Sequence, residues 1–435
     1  MVIVFLVLAL AVFGGLHWYV WRRMVRDTTA GPGAARRVGT VVIVVGPVLM
    51  FAGVAAERAG APFWLQQVLA WPGFLWMAFS LYLLLALLVG EVVRPLLRRV
   101  LERRSTPTAE TADVREDAPV PARVPDLEAK PYSEAEAEAS SEAKAEAGAG
   151  RSEKPEPLVT GPSRRLFVSR VVGGAAAAAA VGTVGYGTYG VLRGPRVKRV
   201  TVPLAKLPRS AHGYRIAVVS DIHLGPVLGR GFAQKVVDTI NSTQPDLIAV
   251  VGDLVDGSVK DLGPAAAPLA QLKARHGSFF VTGNHEYFSG VDEWVAHVRE
   301  LGLRPMENAR TELADFDLAG VNDVAGEDEG QGPDFVKALG DRDRTRACVL
   351  LAHQPVQIHD AVEHGVDLQL SGHTHGGQLW PGNLVADRVN PTLAGLERYG
   401  DTQLYVSRGA GAWGPPTRVG APSDITVVEL ASRQA

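Results

Sequence analysis

The sequence has almost no cysteine and almost no net charge. Its 435 residues contain one cysteine, Cys348, and carry a formal net charge of −2. A single thiol excludes an intramolecular disulfide framework and a metal cluster held by thiolates. Because Cys348 lies in the apolar run "ACVLLAH", we expect it to be buried as a small hydrophobic residue. The near-neutral charge offers no basic field for nucleic acid, so no nucleic-acid partner is expected.

Long apolar runs, by contrast, are present, and three of them lie within the first hundred residues. They cover residues 2–21, 38–56 and 63–90, and the last is interrupted by "WPG" at 71–73. Each run is long enough to cross the hydrocarbon core of a bilayer, and tryptophans near several of their ends suit the membrane interface. Three such runs disfavour buried helices of a soluble protein. We therefore predict a membrane domain with three transmembrane helices over residues 1–100.

Residues 101–162 differ in composition from the segments around them. Acidic, alanine-rich sequence such as "EAEAEASSEAKAEAGAG", together with several prolines, leaves almost nothing apolar to bury. A chain of this composition cannot offset the entropy cost of ordering. We predict a disordered linker.

A fourth hydrophobic segment follows the linker, at residues 163–192. "SRRLFVSR" precedes a modest apolar run, and paired arginines in this setting resemble the signal of the twin-arginine export pathway, which carries folded proteins. This resemblance implies the twin-arginine translocase as a partner during export. A plain fourth anchor with cytoplasmic positive charges is the alternative. Whether the segment is cleaved or retained is left open.

The arginines near the apolar runs predict an orientation. The connection after the second run carries only Glu57 and Arg58, whereas arginines cluster after the first and third runs. Because cytoplasmic loops are enriched in arginine and lysine, we expect the linker in the cytoplasm and everything after Leu192 outside it. The prediction is a multi-pass cell-membrane protein with an extracytoplasmic domain. The clustered arginines are Arg22, Arg23, Arg26, Arg36, Arg37, Arg94, Arg98, Arg99, Arg103 and Arg104.

From residue 197 onward, short strand-like runs alternate with helical segments. Segments such as "GFAQKVVDTIN" and "GVDEWVAHVREL" separate several of the runs. This alternation predicts an α/β fold whose sheets are covered by helices. The runs are "YRIAVVS", "DLIAVVG", "GSFFVTG", "ACVLLA", "VDLQLSG", "QLYVSRG" and "ITVVEL".

Five of these runs end in polar motifs, namely "SDIHLG", "GDLVDG", "GNHEYF", "HQP" and "GHTHGG". Open α/β sheets form their sites outside the carboxyl ends of the strands. Asp221 and His223 are two residues apart, so both would lie on one face of an extended segment. A glycine precedes both Asp253 and Asn284, which would let the backbone turn there. The candidate metal ligands are Asp221, His223, Asp253, Asn284, His353, His373 and His375.

Oxygen and imidazole ligands without thiolates suit divalent manganese, iron or zinc. Seven ligands exceed the four that one tetrahedral ion takes, whereas two ions that share a bridging carboxylate use all of them. Two such ions can clamp a phosphate and lower the pKa of a shared water, and the hydroxide then attacks phosphorus in line. The sequence has no G-x-S-x-G motif, Cys–His pair or P-loop that would supply a competing chemistry.

The ordered set D-x-H, G-D-x-x-D, G-N-H-E, a single histidine and G-H-x-H resembles the calcineurin-like metallophosphoesterase signature. "GNHEYFSG", "GHTHGGQLW" and "SRGAGAWGPPTRVG" resemble its bacterial membrane-associated branch, over about residues 197–431. The resemblance implies a four-layer αββα sandwich as the catalytic domain. It also implies that Asp253 bridges two ions, the first held with Asp221, His223 and His375 and the second with Asn284, His353 and His373.

The same resemblance implies that His285 is catalytic, either stabilising charge on the substrate phosphate or protonating the leaving oxygen. Asp256 would either orient a neighbouring group or be a simple turn carboxylate, and Glu286 would be structural. The segment 407–420 would form the mouth of the cleft or only a surface loop. We predict a metallophosphoesterase that acts on phosphodiesters or pyrophosphates, with lipid-linked or cell-envelope molecules as candidate substrates. The alternative is a non-catalytic metal-binding sensory or scaffold domain on a membrane anchor.

Overall fold

The computed structural model describes residues 2–104 and 164–434. The predicted linker therefore lies outside the described residues from residue 105 onward. Residues 101–104, the first four of the predicted linker, are helical instead, because α3 runs to Arg104. The helices before the sheets are α1 Val2–Trp21, α2 Ala34–Arg58, α3 Phe63–Arg104 and α4 Arg164–Leu192.

Within the described residues, three helices are long and apolar enough to cross a membrane. They are α2, the Phe63–Leu101 part of α3, and α4. Helix α1 covers the first predicted run, and α4 begins at the paired arginines and continues through the fourth hydrophobic segment. Apolar helices thus occupy each of the segments where the sequence predicts them.

The "WPG" motif interrupts the apolar run but not the helix. Helix α3 is continuous through Pro72. A Cβ atom at Gly73 would lie 2.7 Å from the carbonyl oxygen of Leu49 on α2, and a Cβ at Gly46 would overlap the Trp76 ring. The small residues therefore allow α2 and α3 to approach closely, as is common between membrane helices.

Helix α4 packs along α3, although the linker separates the two in sequence. Val168, Ala176, Ala180 and Val184 of α4 are buried in the bundle. The repeated small and β-branched residues on this face match the close packing of membrane helices.

Two six-stranded sheets follow the helices. The first has the order β1-β12-β2-β3-β4-β5 and the second β10-β11-β9-β8-β7-β6. Strands β2 to β5 run parallel to one another, as do β7, β8, β9 and β11. The strands are β1 Arg196–Leu204, β2 Tyr214–Val219, β3 Leu247–Val251, β4 Ser278–Val281, β5 Leu303–Pro305, β6 Ala309–Glu312, β7 Asp317–Gly320, β8 Cys348–Leu351, β9 Leu368–Ser371, β10 Gly395–Tyr399, β11 Thr402–Val406 and β12 Asp424–Ser432. The helices are α5 Arg230–Ser242, α6 Val259–Ala266, α7 Asn284–Ser289, α8 Val291–Glu300, α9 Phe335–Leu339, α10 Ile358–Glu363 and α11 Asn383–Val389.

The sheets face each other, and helices cover both outer faces. Phe279 of the first sheet and Tyr405 of the second lie in the core between the sheets. Helices α5, α6 and α8 cover the first sheet around Trp294, and α9 and α10 cover the second around Phe335. Cys348 is buried in this outer core, as the sequence predicts. Because both faces of most strands are buried, the strands read as continuous apolar runs. The four-layer αββα sandwich is confirmed.

The sandwich contacts the membrane helices through two loops. The Tyr82 hydroxyl of α3 donates a hydrogen bond of 2.9 Å to the Trp380 carbonyl. The hydroxyls of Thr188 on α4 and Thr417 lie 2.7 Å apart. Phe63, at the start of α3, packs against the outer core of the first sheet. These contacts place one rim of the sandwich against the helices.

Candidate metal and catalytic centre

The structure brings all seven predicted ligands together at one rim of the sandwich. They follow β2, β3 and β4 of the first sheet and β8 and β9 of the second, all at carboxyl ends. Ligand atoms of Asp221, His223 and His375 lie within 4.8 Å of one another, and so do those of Asp253, His353 and His373. Asn284 joins the second group, because its Oδ1 lies 3.0 Å from Nδ1 of His373.

The distances within and between the groups suit cations. Nε2 of His223 lies 3.0 Å from Nε2 of His375, which lies 3.4 Å from Oδ1 of Asp221. Oδ2 of Asp253 lies 3.2 Å from Nε2 of His353 and 3.7 Å from Nε2 of His223, so it reaches both groups. Within the described part of the chain, this buried His353 nitrogen has no hydrogen-bond partner. A buried, unpaired imidazole nitrogen beside a carboxylate fits a metal ligand.

The second nitrogens of two histidines are hydrogen-bonded in the way that metal-ligating imidazoles usually are. Nδ1 of His223 lies 2.9 Å from Oδ1 of Asp256. Nδ1 of His353 lies 2.9 Å from the Val251 carbonyl. In each case the ring can donate its Nδ1–H, which leaves Nε2 with a lone pair directed at the cluster.

His375 is held differently, by a cation. The buried guanidinium of Arg418 donates to Nδ1 of His375 at 3.0 Å and to its carbonyl oxygen at 3.0 Å. A neutral imidazole that accepts at Nδ1 carries its hydrogen on Nε2. An ion can therefore bind that Nε2 only if the proton leaves, or if the ring turns.

The backbone at the centre is strained. Eight non-glycine residues in the described ranges have positive φ, and five of them are candidate ligands. Each such residue costs about 1–2 kcal/mol relative to the right-handed region. The prediction that Asp221 and His223 share an extended segment is wrong, because both lie in this left-handed region, with φ of 53° and 49°. The five are Asp221, His223, Asp253, His373 and His375.

The glycines before Asp253 and Asn284 serve different purposes. Gly252 has a φ of +73°, as predicted for a turn, and a Cβ there would lie 2.5 Å from Nδ1 of His353. Gly283 has an extended backbone with φ of −107°, so the chain turns from β4 into α7 there without a left-handed glycine. A Cβ at Gly283 would lie 2.3 Å from Oδ1 of Asp253, so glycine is needed for close approach instead.

His285 forms an ion pair with Asp256 beside the ligand cluster. Its Nδ1 lies 2.7 Å from Oδ1 of Asp256. Burial alone would lower the pKa of His285, but Asp256 and Asp253 outweigh burial and raise this pKa to about 9. Burial of Asp256 acts to raise its pKa, but His223 and His285 lower it to about 2. The two carboxylates thus favour the cationic form of His285, and the contacts of Asp256 favour its orienting role over a simple turn.

Glu286 ties two of the strand ends together. Its buried carboxylate accepts hydrogen bonds from the backbone N–H groups of Gly283 at 2.6 Å, Asp253 at 3.0 Å and Leu254 at 2.7 Å. Burial and the nearby Asp253 raise the pKa of Glu286 to about 7. These contacts fix the turn after β3 relative to the start of α7, which supports the structural role predicted for Glu286.

A cleft opens beside His223 and Asp256. Trp413, in the segment 407–420, is one of the residues that line this cleft. Glu57 of α2 and Phe74 of α3 also line it. Sequence reasoning missed both membrane-helix residues. The one available signal is that Glu57 is the single acidic residue of the short connection between two apolar runs.

Two facing sheets with an Asp, Asn and His cluster at their rim define a metallophosphoesterase-type domain. The family model for calcineurin-like phosphoesterases matches residues 214–377. An uncharacterized metallophosphoesterase of Aquifex aeolicus is 34% identical over 240 residues, which cover 54% of this chain and 91% of the relative. One of Bacillus subtilis, YkuE, is 30% identical over 280 residues, or 62% of this chain and 98% of the relative. The chain belongs to the calcineurin-like metallophosphoesterase family.

A third relative bears on the membrane helices. A transmembrane protein with metallophosphoesterase domain from Danio rerio is 38% identical over 259 residues, which cover 56% of this chain. The match spans 59% of that relative, so about two-fifths of its length has no counterpart in the match. Together with the three apolar helices, this similarity identifies the chain as a membrane protein.

Proposed function

We propose that the chain is a metal-dependent phosphoester hydrolase with a dinuclear centre. The observation that carries this proposal is the sharing of one carboxylate by two donor groups, with Oδ2 of Asp253 within 3.7 Å of a histidine nitrogen in each. The first ion would be held by Asp221, His223, Asp253 and His375. The second would be held by Asp253, Asn284, His353 and His373. Manganese, iron and zinc suit these ligands.

The ions would supply Lewis acidity towards the phosphate and an activated water. The protein's own part is to hold the ligands rigidly and to present a cation to the substrate. Asp256 fixes His285 through Nδ1, which leaves Nε2 to donate to a phosphate oxygen or to the leaving oxygen. In the first case His285 would stabilise charge on the phosphate, and in the second it would transfer a proton to the leaving group.

The substrate we propose is a phosphodiester or pyrophosphate that is lipid-linked or belongs to the cell envelope. The cleft beside the ligand cluster is walled partly by membrane helices, which supports a substrate reached from the membrane surface. The alternative, a metal-binding scaffold without turnover, would be favoured by a missing ligand. Every predicted ligand and His285 are in place in the cluster.

The test is hydrolysis by the full chain in detergent, stripped with a chelator and reloaded with Mn²⁺, Zn²⁺ or Fe²⁺. We expect about two ions per chain by elemental analysis and hydrolysis of bis(p-nitrophenyl) phosphate that chelation abolishes. Phosphomonoester and lipid pyrophosphate substrates, assayed in parallel, show which class of phosphoester the chain hydrolyses. Metal binding without hydrolysis of any of these esters would favour the scaffold.

We also propose a multi-pass topology with the sandwich outside the cytoplasm. Glu57, which lines the cleft, lies at the carboxyl end of α2. Arg36 and Arg37, which are expected on the cytoplasmic side, lie in the first turn of the same helix. The burial of α4 residues against α3 supports retention of α4 as an anchor after export through the twin-arginine route. β-Lactamase fused to the carboxyl terminus is expected to make cells resistant to ampicillin, because this enzyme meets its antibiotic only outside the cytoplasmic membrane. Cells that stay sensitive although their lysates hydrolyse ampicillin would reverse the topology.

A further inference from the structure

Helix α11 and the tryptophan before it carry an apolar patch that the sandwich does not cover. Trp380 is 50% exposed, Leu384 58%, Val385 67% and Val389 75%, and α11 has no buried residue. Elsewhere in the described part of the sandwich, exposed large hydrophobic residues lie singly or in pairs along the sequence. A cluster of exposed apolar side chains marks a surface that contacts a partner or a membrane.

The apolar side chains of α11 lie on one face of the helix. Because an α-helix turns by about 100° per residue, Leu384, Val385 and Val389 fall within a sector of about 140°. The exposed Arg388 falls in the same sector, whereas Asp387 lies outside it. An apolar face with a cation beside it is typical of a helix that lies in the interface of a membrane.

This patch lies next to the membrane helices. The Trp380 carbonyl accepts the hydrogen bond of 2.9 Å from Tyr82, which belongs to the Phe63–Leu101 part of α3 that is long and apolar enough to cross a membrane. Leu379 and Val419 pack against the buried cluster of the same helices. Helix α11 begins three residues after Trp380 and, with seven residues, is only about 10 Å long. The patch therefore lies close to an apolar part of a candidate membrane span.

Helix α11 is also fixed to the G-H-T-H-G-G turn that carries two of the candidate ligands. A Cβ atom at Gly377 would lie 2.2 Å from the Cα atom of Asn383, so the turn and the first residue of α11 are in close contact. The Thr374 hydroxyl donates a hydrogen bond of 2.7 Å to the Leu393 carbonyl, in the segment that follows α11. Both ends of the helix are thus held near the ligand turn.

We propose that Trp380, Leu384, Val385 and Val389 form a surface that inserts into the bilayer leaflet on the sandwich side of the membrane. The partner is the lipid that surrounds the chain's own helices, because the patch adjoins the apolar bundle through Leu379. Tryptophan and aliphatic side chains suit the boundary between head groups and acyl chains. Insertion requires no turnover, so this inference is independent of the proposed hydrolase activity. It would hold the ligand turn beside the lipid head groups.

The test places a nitrobenzoxadiazole fluorophore on Val385→Cys in the full chain, reconstituted in phospholipid nanodiscs. The unchanged chain is the labelling blank, because its Cys348 is fully buried. We expect a blue-shifted emission, and a loss of at least about half of the fluorescence when the lipids carry a nitroxide on the acyl chain.

The matched control is Val336→Cys on α9. Val336 is 71% exposed, much like Val385, but α9 packs on β6 and β7, whereas the turn that precedes α11 follows β9. The fluorophore on Val336→Cys should emit as it does in water and be quenched by iodide. Both replaced valines are exposed, so both chains should keep the thermal midpoint of the wild type.

A charge on the same face separates insertion into lipid from cover by protein. Leu384→Glu, added to Val385→Cys, is expected to lower the nitroxide quenching at least about twofold. Blue-shifted emission without nitroxide quenching would show that a second copy of the chain covers the patch. Iodide quenching equal to that of the α9 control would show that the patch lies in water. Either result, or unchanged nitroxide quenching in the glutamate variant, would overturn the proposal.

Discussion

Asp253→Asn is expected to lower kcat/KM for bis(p-nitrophenyl) phosphate by at least about 10³-fold. Oδ2 of Asp253 lies 3.2 Å from Nε2 of His353 and 3.7 Å from Nε2 of His223, so its charge is shared by both donor groups. An amide is neutral and is a poor bridging ligand. Steady-state kinetics and elemental analysis of the purified variant measure the two consequences, and bound metal should fall below two ions per chain.

The loss should come from the site and not from unfolding. Asparagine keeps an oxygen that can accept the backbone N–H of His285, a bond of 2.9 Å in the structure. The thermal midpoint of the metal-free variant should therefore stay close to that of the metal-free wild type. Asp238→Asn, on the exposed side of α5, is the matched control and should keep full activity. Wild-type activity in Asp253→Asn with two bound ions would refute the shared-carboxylate centre.

His285→Ala is the second large effect, with an expected loss of about 10²- to 10⁴-fold and no loss of metal. His285 pairs with Asp256 at 2.7 Å, and Asp256 and Asp253 raise its pKa to about 9, which favours the cationic form. His285 lies beside the ligand cluster but is not a proposed ligand of either ion, so both ions should stay bound when it is replaced. The measurement is kcat/KM together with the metal content of the same preparation.

The leaving group separates the two roles open to His285. If His285 protonates the leaving oxygen, alkyl esters should lose far more activity than p-nitrophenyl esters, because nitrophenolate leaves without a proton. If His285 stabilises charge on the phosphate, all esters should lose activity equally. His359→Ala, an exposed histidine outside the motifs, is the control. A loss of less than about tenfold for every ester would exclude both roles.

The sequence predicts the architecture well because its strands are buried on both faces. "DLIAVVG" and "ACVLLA" contain β3 and β8, and their polar ends reach one rim as expected for carboxyl ends of parallel strands. Five strands escape this reasoning, namely β1, β5, β6, β7 and β10. Strand β1 carries Arg196, Lys198 and Arg199 and resembles a charged connection. Its identity as a strand depends on pairing with β12, which is distant in sequence.

The backbone conformation of the site is harder to predict from the sequence than the identity of its residues. The motif residues were identified by type and order, but residue type does not predict the left-handed backbone at Asp221 and His223. Aspartate and histidine adopt it more often than most non-glycine residues, but still only rarely. The contact of Arg418 with His375 likewise joins residues 43 positions apart. Glu57 and Phe74 enter the cleft only because the helices dock on the sandwich. Such docking leaves no periodic pattern in the sequence.

The position of β12 in the first sheet also governs when the domain can fold. Strand β12 lies between β1 and β2, parallel to the former and antiparallel to the latter, so β1 has no neighbour until β12 is in place. Residues 424–432 must therefore leave the ribosome before the strand that follows α4 can join its sheet. A nascent chain held at an earlier length would expose an open strand edge beside the anchor. A sheet that closes only when β12 has paired would suit the proposed twin-arginine route, which carries folded domains.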